Sequence, residues 1–315
     1  MRSRLAVLVA IAIAVAAVAF AISRAVSSAP GTAAPRPVTL PTRPATYLGV
    51  YEAGTPLTYK PVAAFAQAAG RQPNLVGYYS GWGEHFATSF ATTVHRHGAV
   101  TILQIDPTDA AIAAIVAGHY DRYLRSYADT VRDFGYPVVI GFGHEMNATW
   151  YSWGYRHVRP PLFVAAWRHL VTLFRDEGAD NVTWLWTLQA DEPGTGPIAS
   201  WWPGSAYVTW VGIDGYYYRR SDTFTSVFGK TIAQVRGITH RPLLLSETAV
   251  GPMAGQPAKI ANLFAGMRLY QTIGLVWFDI AQHQGIYHQN WHIEDSRPAV
   301  AAFRRDASAL TLAHP

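Results

Sequence analysis

The stretch PVVIGFGHEMNATWYSWG, residues 137–154, decides how the chain is read. Its first half is an unbroken apolar run behind a proline. A strand with one wet face alternates apolar and polar residues, whereas a strand covered on both faces does not need to. The second half turns polar and aromatic at once, with His144, Glu145, Asn147, Trp150 and Trp153 within ten residues. A buried strand that ends in reactive side chains is the layout expected where strands point one end at a cleft.

Seven further runs of the same kind occur: YLGVYEAG (47–54), LVGYYSGW (75–82), AVTILQIDP (99–107), VTWLWTLQ (182–189), VTWVGIDGY (208–216), PLLLSETAV (242–250) and GLVWFDIAQ (274–282). Helical patterns fill most of the gaps, at 61–69, 109–134, 161–177, 223–235, 257–272 and 297–310, and glycines such as Gly70, Gly98, Gly135 and Gly178 stand where helices stop. Only the connection after the fifth run lacks a helical period. Eight β-then-α units predict a single α/β domain, a closed (β/α)8 TIM barrel. An open doubly wound sheet is the runner-up, but no glycine-rich phosphate loop follows the first strand.

The N-terminus is built differently. Residues 5–22 are continuously apolar behind Arg2 and Arg4, which predicts a signal peptide or membrane anchor over 1–28 and a secreted or membrane-anchored, extracytoplasmic protein. Residues 29–46 are rich in Pro, Ala and Thr and read as a stiff linker, with the folded domain at 47–315. The formal net charge is +5, and five arginines with no acid fall within the first 46 residues, so the folded part is formally neutral. That distribution argues against a nucleic-acid-binding face. The chain has no cysteine, which excludes disulfides and thiol chemistry.

In a barrel, polar residues at the C-terminal ends of otherwise apolar strands are the candidates for chemistry. The fourth run ends in His144-Glu145-Met146-Asn147 and the seventh in Ser246-Glu247-Thr248. Two carboxylates facing each other across a mouth are what hydrolysis of a glycosidic bond needs. Flat aromatics cluster near the same ends: Trp82, Trp150, Trp153, Tyr216 to Tyr218 and Trp277. Such rings stack on the C–H faces of sugars, whereas Trp167 and Trp184 fit core positions. His144-Glu145 lacks a second histidine at helical spacing, so no zincin motif is present, and His283 and His288 read as loop residues. Asn147 and Asn181 each begin an N-glycosylation sequon, a weak pattern.

These residues resemble glycoside hydrolase family 26. The likeness runs through GHEMNATWYSWG, AAWRHLVTLFRDEGADNVTWLWT, WWPGSAYVTWVGIDGYYY, PLLLSETAV and GLVWFD in order, over residues 47–303. The resemblance implies a secreted β-mannanase or β-glucanase acting with retention, with Glu145 as acid/base and Glu247 as nucleophile. It implies His144 orienting the acid, Tyr216 bonded to the nucleophile, Asp214 supporting, and Trp150 and Trp277 around the sugar; Trp82 and Asn147, which follow strand ends, are further candidates for contact with substrate. It requires no metal and no cofactor, and its partner is a polysaccharide or oligosaccharide met by a monomer. A non-catalytic glycan-binding or envelope scaffold on the same barrel is the alternative, and an enzyme trimming the cell's own polysaccharide is a third reading. Two departures stand out: Gly141 where many family mannanases carry arginine, and Ala148 where a glycine usually follows His-Glu-Met-Asn.

Overall fold

The computed structural model describes residues 39–282 and 289–314. The apolar run 5–22, the linker up to residue 38, and His283 and His288 lie outside them.

Eight parallel strands close on one another in sequence order, from β1 paired to β2 round to β8 paired to β1. They are β1 Tyr47–Glu52, β2 Leu75–Gly81, β3 Val100–Asp106, β4 Val138–Phe142, β5 Val182–Gln189, β6 Trp210–Asp214, β7 Leu243–Thr248 and β8 Gly274–Asp279. The expected (β/α)8 barrel is present. Helices cover it in chain order: α1 Lys60–Ala69, α2 Thr88–Arg96, α3 Ile112–Val116, α4 Asp121–Phe134, α5 Pro160–Asp176, α6 Lys230–Arg236, α7 Gln256–Leu269 and α8 Arg297–Ser308. The helix expected over 109–134 is two, α3 and α4, because Gly118 takes a left-handed φ of 78° between them. Between β5 and β6 only a 3₁₀ turn, Ala199–Trp201, forms, in line with the missing helical period there.

Side chains alternate along each strand, so the barrel has two cores. Leu48, Val50, Val76, Leu103, Ile140, Trp186 and Trp277 point outward and pack against the helices. Tyr47, Tyr51, Leu75, Val100, Ile102, Val139, Leu185, Trp210, Leu244 and Val276 fill the interior. Leu40 and Ala313 belong to that inner cluster, beside the N-terminal ends of the strands. The Tyr47 hydroxyl donates to the Pro41 carbonyl at 2.8 Å and the Ala45 amide to Thr272 at 2.9 Å. The packed domain therefore starts before Tyr47, and the last residues of the expected linker belong to it. Packing on apolar surface recovers the ordering entropy that a solvated tether would not repay.

Candidate active site

The turn after β4 aims the first carboxylate. Gly143 and Glu145 both have φ near +53°. For a side chain as long as glutamate this left-handed backbone is uncommon, and it persists only where neighbours hold it. Here the Glu145 amide donates to Thr187 O at 3.0 Å, Ala148 N to Glu145 O at 2.8 Å, and Trp153 Nε1 to His144 O at 2.9 Å. A side chain at Gly143 would meet Phe163 at 3.0 Å and Trp153 at 3.1 Å. The turn lifts Glu145 to the mouth of the barrel, where its Oε2 accepts from Trp150 Nε1 at 2.6 Å.

The second carboxylate ends β7. Glu247 Oε1 accepts from the Tyr79 hydroxyl at 2.5 Å and Oε2 from the Tyr216 hydroxyl at 2.6 Å. Asp214, the register neighbour of Glu247 on β6, is fully buried and accepts from Ser246 Oγ at 2.5 Å. One carboxylate oxygen from each of Glu145, Asp214 and Glu247 lies within 4.8 Å of the other two. Beside them His144 contacts Asp106 Oδ1 through Nδ1 at 2.8 Å and the Tyr151 hydroxyl through Nε2 at 3.0 Å.

The electrostatics separate the two glutamates. Burial raises Glu145, the Glu247 charge adds to this, and the His144 and Trp150 contacts only partly offset it, leaving the acid at about 8. Glu247 is also raised by burial, but His144 and the two tyrosine hydroxyls oppose the shift. Two donors favour the anion directly, so Glu247 gives up its proton before Glu145. Burial alone would lower His144, yet the Asp106 carboxylate outweighs it and holds the imidazole at about 9, so the ring is cationic at neutral pH. Asp214 is pushed well above the carboxylate range by burial and then by both glutamates. The same shift disfavours a further charge under Glu247. The constellation thus offers one ionised and one protonated carboxyl group across a short gap.

A cavity of about 500 Å³ opens over these groups, lined by Glu145, Glu247, His144, Tyr216 and Trp150 together with Tyr79, Asp106, Tyr151, Gln189 and Phe278. Trp150 presents 40% of its surface to solvent, the exposure a sugar-stacking ring needs. Three expected contacts with sugar are absent from the lining. Trp277 points outward from β8, is fully buried against Phe303 and donates to Asp279 and to Trp291 O; the next residue, Phe278, faces the cavity instead. Trp82 packs edge-on against Tyr120 and Tyr123. Asn147 is buried and clamps the end of β5, exchanging bonds with the Gln189 backbone at 2.9 Å. Its amide, like that of Asn181, which binds two backbone carbonyls, is engaged, so neither sequon is displayed. Asp214 supports from below without lining the cavity.

Sequence reasoning missed Tyr79, Asp106 and Tyr151. Tyr79 and Asp106 sit near strand ends and carried the only available signal, inward parity on β2 and the sole acid ending β3, whereas Tyr151 lies in the loop between β4 and α5, among other aromatics.

The sequence profile of glycosyl hydrolase family 26 matches residues 84–296, more than half of the chain. The chain belongs to this family. Endoglucanase H of Acetivibrio thermocellus is 27% identical over 277 residues, which cover 81% of this chain and 30% of that protein. Beta-1,3-xylanase TXYA of a Vibrio species is 23% identical over 198 residues, 59% of this chain and 41% of that one. The chain thus spans less than half the length of either relative. Among solved structures, Bacillus subtilis mannanase man26 superposes with a TM-score of 0.65 at 17% identity, covering 84% of this chain and 86% of that one, and so shares the barrel.

Within this family-26 fold the two sequence departures have local explanations. A side chain at Gly141 would run into Gln104, whose Oε1 lies 1.8 Å from where its Cβ would be. Gln104 occupies that inward position and donates to Thr187 Oγ1 at 2.9 Å. Ala148 is not among the residues with positive φ. It pairs with Thr195 in an isolated bridge, so nothing at that turn calls for glycine.

Proposed function

We propose that the chain is a retaining endo-β-glycanase that hydrolyses β-1,4-linked polysaccharide, mannan or glucan, by double displacement. The observation that carries this is the closeness of Glu145 and Glu247, with carboxylate oxygens within 4.8 Å. Retaining hydrolases hold their carboxyl groups about 5–5.5 Å apart, whereas inverting ones leave about 6.5–9.5 Å for a water.

In the first step Glu247, ionised, attacks the anomeric carbon. Glu145 gives its proton to the departing glycosidic oxygen as that bond breaks. In the second step Glu145, now a carboxylate, takes a proton from water, whose oxygen displaces Glu247 from the sugar. The Tyr79 and Tyr216 hydroxyls hold Glu247 so that one lone pair faces the substrate. The cation of His144 offsets the negative charge of the pair. Trp150 fixes the acid with its N–H and offers its ring to a sugar face. The apolar N-terminal run completes the proposal, carrying the enzyme out of the cytoplasm to meet polymer.

A non-catalytic glycan-binding scaffold fits less well, since a binding module gains nothing from burying two neighbouring carboxyl groups, one of them ionised. The test is incubation of purified protein with β-mannan, mixed-linkage β-glucan and cellulose, following reducing ends and the anomeric NMR signals of fresh products. Release of reducing ends with the β-anomer appearing first is expected. Binding without release, or the α-anomer first, overturns the proposal.

A further inference from the structure

A second polar cluster lies behind β1 and β8, away from the cleft. Glu52 and Asp279 end these neighbouring strands and are register partners. Tyr51 and Phe278, the residues before them, belong with the barrel interior, so both carboxylates face outward, where they are nonetheless buried. His292, in the segment before α8, stands beside them with Nδ1 3.6 Å from Asp279 Oδ2.

Among the described residues, three atoms of this cluster are inaccessible to water and have no donor beside them: Glu52 Oε1, Asp279 Oδ2 and His292 Nδ1; the two carboxyl groups can bond to each other only by sharing a proton. One donor atom from each of the three residues lies within 4.8 Å of the other two. Asp279 is held from its other oxygen, where Oδ1 accepts from Ile293 N at 2.8 Å and Trp277 Nε1 at 3.1 Å. Among the described residues neither carboxylate has an ion pair with lysine or arginine. Buried polar atoms ordinarily find partners. Three that fail to do so while converging on one point ask for something placed between them.

The separations say what. A gap of 3.6 Å is too long for a hydrogen bond. It is near the roughly 3.3–3.4 Å between two ligands of a tetrahedral ion with bonds of about 2.0–2.1 Å. An imidazole nitrogen with two carboxylates suits zinc-class ions, whereas calcium and magnesium take oxygen ligands throughout. We propose that Glu52, Asp279 and His292 form a binding site for one zinc-class divalent cation, with water completing its coordination. The site is structural. It ties the end of β1 to the segment carrying Trp291, whose ring packs 4.9 Å from that of Tyr216. It thereby braces the wall of the cleft without contributing to the chemistry in it, and it stands whether or not the hydrolase proposal does.

The experiment is calorimetric titration of zinc into tag-free, full-length chain stripped with EDTA and desalted. One zinc per chain is expected, with calcium at least tenfold weaker. Glu52→Gln and His292→Gln each weaken zinc binding at least tenfold, while Glu145→Gln and Glu247→Gln, which alter the other acidic cluster, leave it unchanged. Zinc raises the unfolding temperature of the parent chain and not that of His292→Gln. His292 is partly exposed, so its variant decides the matter if Glu52→Gln fails to fold. Absence of stoichiometric uptake, uptake indifferent to His292→Gln, loss in Glu145→Gln, or preference for calcium each overturns the site.

Discussion

The two ends of the barrel are made from the same strands and solve opposite problems. At the N-terminal end, Tyr47, Val100, Trp210 and Leu244 meet Leu40 and Ala313 in an apolar plug. At the C-terminal end the inward positions become Tyr79, Glu247 and their neighbours, and the interior opens into the cavity. One end gains stability by excluding water. The other holds carboxylates in a setting that opposes their ionisation, raising Glu145 to about 8, and such strain is what a proton-donating site requires. The difference teaches that a single strand can serve both ends because nothing couples its first residue to its last except register.

That division can be broken or sharpened by substitution. Glu247→Ala should have the largest effect, a loss of roughly 10⁴–10⁶-fold in turnover on polysaccharide, measured as reducing-sugar release, with the unfolding temperature unchanged or raised. Glu145→Gln should cost about 10²–10⁴-fold on polysaccharide but much less in the first turnover of an aryl glycoside, whose leaving group departs without a proton; equal losses on both substrates would deny Glu145 its role as acid. Trp210→Ala, at the plugged end, should reverse the pattern, costing about 3–5 kcal/mol in urea unfolding while the folded fraction keeps its KM. If KM rises with it, the two ends are coupled after all.

Tyr79→Phe removes one donor from the nucleophile, and a bond to a charged group contributes about 1.5–3 kcal/mol, so kcat should fall roughly 10- to 100-fold. The pH profile gives its sign. Donors to Glu247 hold its pKa down, so their loss raises it and moves the acid limb of activity to higher pH. The alkaline limb should stay where Glu145 loses its proton, near pH 8. A Tyr79→Phe profile identical in shape to the parent's would mean that the hydroxyl is only a spacer.

Much of this was legible in the chain. Continuous apolar runs separated by helical periods were enough for the barrel, because a strand buried on both faces leaves that mark wherever it occurs. Glu145 and Glu247 were visible for the complementary reason: an acid directly after such a run has few places to be other than a strand end. The failures have two causes, parity and coverage. Trp277 and Phe278 are adjacent, and which one enters the cleft depends on the parity of β8, so a shift of one residue exchanges cleft for core. Trp82 and Asn147 follow strand ends as Trp150 does, but neighbouring elements cover them, and composition does not record coverage.

What the sequence determined by itself was the period of its hydrophobic residues and the identity of those that break it, because burial of apolar surface acts on each segment locally. The tertiary structure alone decided which broken positions converge. Tyr79, Asp106 and Glu247 come from three strands and His144 from the turn after a fourth, and only closure of the sheet brings their charges and donors within bonding distance. Hydrogen bonds and pKa shifts act over a few ångströms, and proximity of that kind is a property of the folded barrel rather than of any stretch of chain.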